Sequence, residues 1–394
     1  MNIGLFTECW DPQINGVITS IKNLQYEIEK QNNSIYIFAP HYENYMDKDP
    51  RIFRQLAIKY IFQPEFNFAS MLKFKALKKA RQWKLDIIHS HTEFSLGIIG
   101  SHIAKQLELP FVLTFHTFWE YYSHYFLWDI LPRNLFRFFL SLLYKSPDYF
   151  IVPSQKVKSY LENIMKVKAT IEVIPTGLNL KHFVDYKVTP HMRQNFREKY
   201  GIKKNDKVML FVGRIGKEKS IAVLIRGLWQ LKRKYPHLKL LVVGGGPGIT
   251  ELQKLARKLK VEHSVIFAGY IPWQHIPLVY KSSDIFVLAS VSETQGLVTI
   301  EAMACDLPVI VRKDPANLDI IGNGSFGLIF NKPDDFSTAV NHLLSHPELE
   351  RSLKQKAQKA SLKYSAEEFG KKVVEYYNWI REDHKRRIRK IVPR

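Results

Sequence analysis

A chain of 394 residues, 46% of them hydrophobic, is too long for one ordinary domain and suits two of about 180 residues, each with its own core. Its two cysteines, Cys9 and Cys305, stand far apart, which argues against a disulfide framework and for a reducing compartment. A formal net charge of +21 selects polyanionic partners, whether nucleic acid, anionic lipid or acidic small molecules, and the placement of the charge has to choose among them.

Along the chain, short apolar runs alternate with helical patterns, as in parallel sheets wrapped by helices. The first residues read as a strand over 3–6, with no basic leader before it. Helices over 16–30 and 96–107 and strands over 34–39, 86–90, 111–115, 149–152 and 171–174 complete the first half. The apolar stretch 126–144 is interrupted by Asp129, Pro132, Arg133 and Arg137, so it falls short of the roughly 18 uninterrupted residues a membrane span needs. Pro175-Thr176-Gly177 punctuates strongly and marks the linker. This places one domain over 1–177 and a second over 178–365. The pattern then restarts with strands over 208–212, 239–243, 264–267, 285–288 and 309–311. After Asp334 it is nearly all helical and ends in a basic helix over 366–390. Two such α/β units invite a ligand at the carboxyl ends of their strands.

Four segments carry chemistry. Asp11-Pro12-Gln13-Ile14-Asn15-Gly16-Val17 follows the first strand and turns tightly into a helix, whose unpaired amides can meet a phosphate or sugar oxygen. Phe211-Val212-Gly213-Arg214-Ile215-Gly216-Lys217-Glu218-Lys219 ends the first strand of the second half. Arg214 and Lys219 beside a glycine turn suit a diphosphate whose charge grows as it departs. Val243-Gly244-Gly245-Gly246-Pro247-Gly248 looks like a dinucleotide fingerprint, yet Ile249 takes the place of its third glycine and no acidic residue ends the next strand. That disfavours hydride transfer and leaves a glycine turn lining a nucleotide pocket. Ser292-Glu293-Thr294-Gln295-Gly296-Leu297-Val298-Thr299-Ile300-Glu301-Ala302-Met303-Ala304 is the most specific segment: two carboxylates flank a glycine that opens a helix. A zinc reading of His89-Ser90-His91-Thr92-Glu93 fails for want of a third ligand.

Taken in order, the Gly-Arg with a lysine five residues on, the Gly-Gly-Gly-Pro turn and the paired glutamates resemble glycosyltransferase family 4, retaining enzymes of the GT-B fold. The resemblance covers essentially the whole chain. It implies two Rossmann-like domains with parallel sheets facing a central cleft, and a last helix, over 366–394, that crosses back to the N-terminal domain. By this resemblance Arg214 and Lys219 bind the diphosphate, Glu293 holds donor-sugar hydroxyls, Glu301 holds the ribose, and backbone amides after Gly296, beginning with Leu297, face sugar and phosphate. His116, in Thr114-Phe115-His116-Thr117, contacts the donor sugar near its 6-hydroxyl, and Gly16 approaches the phosphate from the N-terminal domain. No tightly bound cofactor and no essential metal are implied, since two cations and helix N-termini serve the leaving group.

The wording of the same motifs is similar to that of the bacterial 1,2-diacylglycerol 3-glycosyltransferases. That similarity implies UDP-glucose or UDP-galactose as donor, diacylglycerol as acceptor and a monotopic place on the cytoplasmic face of the cell membrane. The residues support it. Lys73, Lys75, Lys78, Lys79, Arg81 and Lys84 share a short segment with Met71, Phe74, Leu77, Ala80 and Trp83, which recur every three residues. A basic amphipathic helix with Trp and Phe belongs at an anionic interface. The segment from Leu127 to Tyr144 adds Trp128, Phe136, Phe138 and Phe139 beside Arg133 and Arg137. Trp119 just after His116 is bulkier than the diacylglycerol enzymes lead one to expect, which keeps a sterol acceptor open beside polyprenyl-linked or polysaccharide-precursor acceptors. Nucleic acid is set aside: the basic segments are amphipathic, and no RNP, helix-turn-helix or zinc motif accompanies them.

Overall fold

A computed structural model describes residues 1–13, 16–59, 67–121 and 133–391. Ile14 and Asn15 of the first turn, and Leu127, Trp128, Asp129 and Pro132 of the aromatic segment, lie outside the described residues. The chain divides into two compact units, Met1–Leu178 with Ala366–Arg394, and Asn179–Ser365.

The first unit is built from β1 (Asn2–Phe6), β2 (Ser34–Pro40), β3 (Ile52–Gln55), a small antiparallel hairpin of β4 (Ala57–Lys59) and β5 (Asn67–Ala69), then β6 (Ile87–Ser90), β7 (Phe111–Thr114), β8 (Tyr149–Val152) and β9 (Thr170–Val173). Seven of these strands form one parallel sheet in the order β3-β2-β1-β6-β7-β8-β9. Alternation along β1 assigns its faces, since neighbouring side chains point to opposite sides. Ile3 and Leu5 lie under α1 (Gly16–Glu29), whose Ile21, Leu24 and Ile28 recur every three or four residues. The C-terminal helix Ala366–Ile391 shares that face through Phe369, Val373, Tyr377 and Ile380. It is held there by Arg381 on Asp86 (3.0 Å) and by the Tyr149 hydroxyl donating to Asp383 (2.9 Å). Phe6 on the opposite face meets Phe38, Ile88 and the inner sides of α2 (Phe74–Gln82) and α3 (Ser95–Leu107).

One sequence expectation changes on folding. The apolar positions of α2 do not form one stripe. Ala80 is buried and Leu77 and Trp83 pack on the core, together with buried Ala76, which the every-third pattern passes over. Phe74 is 79% and Met71 53% exposed, on the solvent side with most of the lysines. In α4 (Arg133–Leu143), Phe136 joins Leu140 and the following Tyr144 in a cluster with Leu113, Phe115 and Val152, while Leu135, Phe138, Phe139 and Leu142 stay exposed. Arg137 forks onto the Glu120 carboxylate at 2.7 and 3.0 Å.

The second unit carries β10 (Lys207–Val212), β11 (Leu238–Val243), β12 (Val265–Gly269), β13 (Ile285–Leu288), β14 (Val309–Arg312) and β15 (Leu328–Phe330) in one parallel sheet ordered β12-β11-β10-β13-β14-β15. The order reverses direction beside β10, so the loops after β10 and β13 leave the sheet next to each other. In the first unit the same reversal lies between β1 and β6. Such switch points are where open α/β sheets leave a crevice for ligands.

Candidate active site

At the switch point of the second unit, β10 is followed by Gly213, which takes φ +147°, and β11 by Gly244 at φ +129°. The two turns lie against each other: Gly213 donates to the Val243 carbonyl (2.9 Å) and Ile215 to that of Gly245 (2.8 Å). A Cβ on Gly244 would run into the Gly213 carbonyl oxygen. The glycine-rich segment thus allows two loop backbones to touch, and so shapes the ledge from which Arg214 and Lys219 extend.

On the other side of the switch point β13 runs into Ser290 and Ser292, whose hydroxyls donate to the Glu218 carbonyl at 3.4 and 3.3 Å. Asn317, buried, donates its amide to the Ser290 carbonyl at 3.2 Å. These bonds tie the loop after β13 to the loop after β10 and bring Lys219 Nζ to 2.7 Å from Glu293 Oε1, with both side chains largely buried. Gly296 adopts φ +88° and caps the helix Leu297–Ala304, whose first turn carries neither an acidic residue nor a side-chain cap. Its leading amides and partial positive charge suit an anion. Arg214 is exposed at the end of the β10 turn.

Glu301 rises from that helix and accepts a 2.8 Å hydrogen bond from the Tyr280 hydroxyl. Burial pushes its carboxyl up to about 7, against a smaller lowering by the tyrosine. Tyr280, Ser290 and Asn317 were not singled out by motif; their bonds to Glu301, to the Glu218 carbonyl and to the Ser290 carbonyl appear only in the fold. The raised value has a consequence for stability. A carboxyl with a folded pKa above its unfolded one contributes stability that is complete below about 4.5 and lost as pH rises through about 7. Glu301→Gln is expected to show a smaller fall in Tm between pH 5 and pH 8 than the parent. Other titrations, including the histidines with depressed values, cancel in that comparison. An unchanged fall would show that Glu301 is ionised throughout.

In the first unit, the switch point gathers Glu8 beyond β1 and His91, Thr92 and Glu93 beyond β6. Glu8 is buried and accepts from the Ser95 hydroxyl (2.9 Å), the Leu96 amide (2.5 Å) and the Thr92 hydroxyl. Glu93 accepts from Trp119 Nε1 at 2.9 Å. Burial raises both carboxyls to about 7. His116 follows the carboxyl end of β7, and its Nε2 lies 3.0 Å from His91 Nδ1. Burial holds His116 down at about 4 and His89 at about 3. The His-Ser-His motif packs His89 and His91 in the core, with both ring nitrogens of His89 bonded to the Tyr377 and Thr114 hydroxyls. Gly16 opens α1 with open space where a Cβ would stand.

Two Rossmann-like units, with cations, a glycine-capped helix and paired glutamates at a switch point, define a GT-B glycosyltransferase. Residues 14–182 match the family described as Glycosyltransferase Family 4, and residues 192–360 match Glycosyl transferases group 1. The chain is 36% identical to the alpha-monoglucosyldiacylglycerol synthase of Streptococcus pneumoniae over 96% of its own length and 85% of that protein. It is 31% identical to the enzyme of the same name from Acholeplasma laidlawii, over 94% and 95%. Sucrose-phosphate synthase from Thermosynechococcus elongatus shares the fold, with a TM-score of 0.75 at 20% identity over 96% of this chain and 98% of that one. The chain belongs to glycosyltransferase family 4. Among the described residues no helix is long and apolar enough to cross a membrane.

Proposed function

We propose that this enzyme moves glucose or galactose from a UDP-sugar to a membrane lipid, with diacylglycerol as the acceptor, and retains the anomeric configuration. The observation that carries this reading is the Lys219–Glu293 pair, set at 2.7 Å beside the Gly296-capped helix at the switch point of the second unit. In the reaction the bond from the anomeric carbon to the diphosphate breaks and the bond to the acceptor oxygen forms on the same face. The acceptor proton passes to the departing phosphate oxygen. Lys219, with Arg214 beside it, stabilises the charge that collects on the diphosphate, and the amides from Leu297 onward add the helix dipole. Released from Lys219 by the phosphate, Glu293 accepts from sugar hydroxyls. Glu301, oriented by Tyr280, takes the ribose. His116 contacts the donor sugar.

The acceptor assignment rests on the two relatives named alpha-monoglucosyldiacylglycerol synthase and on two exposed surfaces of the first unit. One is the basic α2 segment with Met71, Leu72 and Phe74, and the other is the outer side of α4 with Leu135, Phe138, Phe139 and Leu142. Exposed aromatic and aliphatic side chains, flanked on α2 by lysines, suit the lipid interface, so the enzyme works as a peripheral protein of the cytoplasmic leaflet.

Incubation with radiolabelled UDP-glucose or UDP-galactose and vesicles of diacylglycerol with anionic lipid is expected to carry label into the organic phase. UDP release by hydrolysis with no label in lipid would discard the lipid acceptor and keep the transferase. A second test uses Gly16. Among the described residues nothing lies within 4 Å of where a Cβ on Gly16 would stand, so Gly16→Val is expected to keep the parent Tm and raise the KM for the UDP-sugar about tenfold, a loss of about 1.4 kcal/mol in binding. An unchanged KM would remove Gly16 from the donor site.

A further inference from the structure

We infer that His91 is a positioning residue that fixes the tautomer and ring plane of His116, at the outer end of a buried chain of side chains that starts on the C-terminal helix. The inference builds on the proposed role of His116 and concerns a residue to which that role assigns nothing.

The chain begins with Tyr377 on the C-terminal helix. Its hydroxyl lies 2.5 Å from His89 Nδ1, and His89 Nε2 lies 2.6 Å from the Thr114 hydroxyl at the end of β7. His89 packs on His91 with ring centroids 4.2 Å apart, and His91 packs on His116 at 5.3 Å with the planes 23° apart. His89 and His91 are buried, at 0% and 1% exposure, whereas His116 is partly exposed. The ladder therefore runs from the core of the first unit to a ring that a ligand can reach.

Proton counting assigns the direction of the last contact. Of the two nitrogens facing each other at 3.0 Å, His91 Nδ1 and His116 Nε2, only one carries the shared proton when both rings are neutral. His91 Nε2 is buried and has no hydrogen-bond partner among the described residues. If His116 donated, neutral His91 would carry its own proton on Nε2, leaving an N–H donor buried without an acceptor. Orphaned N–H donors are the rarer and costlier defect. His91 Nδ1–H therefore donates to His116 Nε2 and leaves a bare lone pair on its own Nε2. The His116 proton is then on Nδ1, and the neutral ring is held in one tautomer and one orientation. A second imidazole fixing the ring it touches parallels the outer groups that orient a metal-bound histidine.

Long-range 15N–1H spectra of the full chain labelled in histidine read the tautomer without any substrate. The expected result is a bare Nε2 and a protonated Nδ1 on His116, assigned by loss of its signals in His116→Ala. His91→Leu is expected to mix the two tautomers and to lower kcat with UDP-glucose and diacylglycerol vesicles about 10- to 100-fold, the range seen when an orienting partner is lost. The KM for UDP-glucose stays within about threefold of the parent in that variant. His91→Asn, whose amide nitrogen stands near the place of Nδ1, restores the tautomer and most of kcat. A bare Nδ1 on His116 in the parent, or an unchanged tautomer with unchanged kcat in His91→Leu, overturns the inference. If His91→Leu does not melt cooperatively, the parent spectrum and His91→Asn decide the matter. Full activity in His116→Ala would sink the proposed role of His116 and leave the tautomer result standing, so the two failures are distinguishable.

Discussion

Glu293→Ala and Lys219→Ala each lower the rate of sugar transfer by about 10²–10³-fold or more while the protein still melts cooperatively. The size follows from the proposed roles, in which Lys219 stabilises charge on the departing diphosphate and Glu293 orients the sugar: loss of a single preorganised partner for transition-state charge costs that much. Stability responds as well. The two side chains are 14% and 12% exposed and lie 2.7 Å apart, so removing one strands the other in a poorly solvated place. Breaking such a pair costs up to about 3–5 kcal/mol, whereas replacing both partners by apolar groups of similar size is close to neutral. The double variant Lys219→Met with Glu293→Leu should therefore regain much of the Tm lost by either single variant and none of the activity. Recovery of activity in the double variant would mean that the pair is structural only. Loss of cooperative melting in the single variants would leave the site assignment without support.

Neutralising Lys73, Lys75, Lys78 and Lys79 to glutamine is expected to weaken binding to vesicles rich in anionic lipid by about 10³-fold. Each cation near such a surface contributes about 1 kcal/mol, and about 1.4 kcal/mol is a factor of ten. Of the four, Lys75 and Lys78 are exposed and Lys73 and Lys79 partly so; Lys79 also lies 5.4 Å from the Trp83 ring centre. Their removal leaves the inner side of the helix, Ala76 and Ala80, untouched. Cosedimentation with vesicles over a salt series reads the result: the parent releases steeply with salt and the variant binds weakly throughout. Parent-like binding by the variant would transfer the anchor to the outer side of α4. There, Phe138→Ser with Leu142→Ser becomes the next test.

Local patterns made the fold class legible. Alternation of short apolar runs with helical periodicity indicated two parallel α/β units, and Pro175-Thr176-Gly177 lies at the boundary where the compact units divide, at Leu178. Strands β3, β4, β5 and β15 escaped this reading. They are three or four residues long, and β3 contains Arg54, which bonds Asp47 and the Pro40 and Asp11 carbonyls. A charged residue in a four-residue run shows no apolar alternation; the tertiary partners of Arg54 are what make the place tolerable.

The sequence by itself determined the family, because glycine turns, a cation after a strand and two glutamates eight residues apart are local patterns, read within a few turns of chain. Only the tertiary structure decided which of those residues meet. Lys219 and Glu293 are 74 positions apart and pair because β10 lies beside β13. Tyr377 reaches His89 across 288 positions because the last helix returns to the first sheet. Strand order is a global property of how hydrophobic faces are covered. No period of two or of 3.6 encodes it, and the contacts it creates at the carboxyl ends of the strands are the ones that set charge, tautomer and burial at the site.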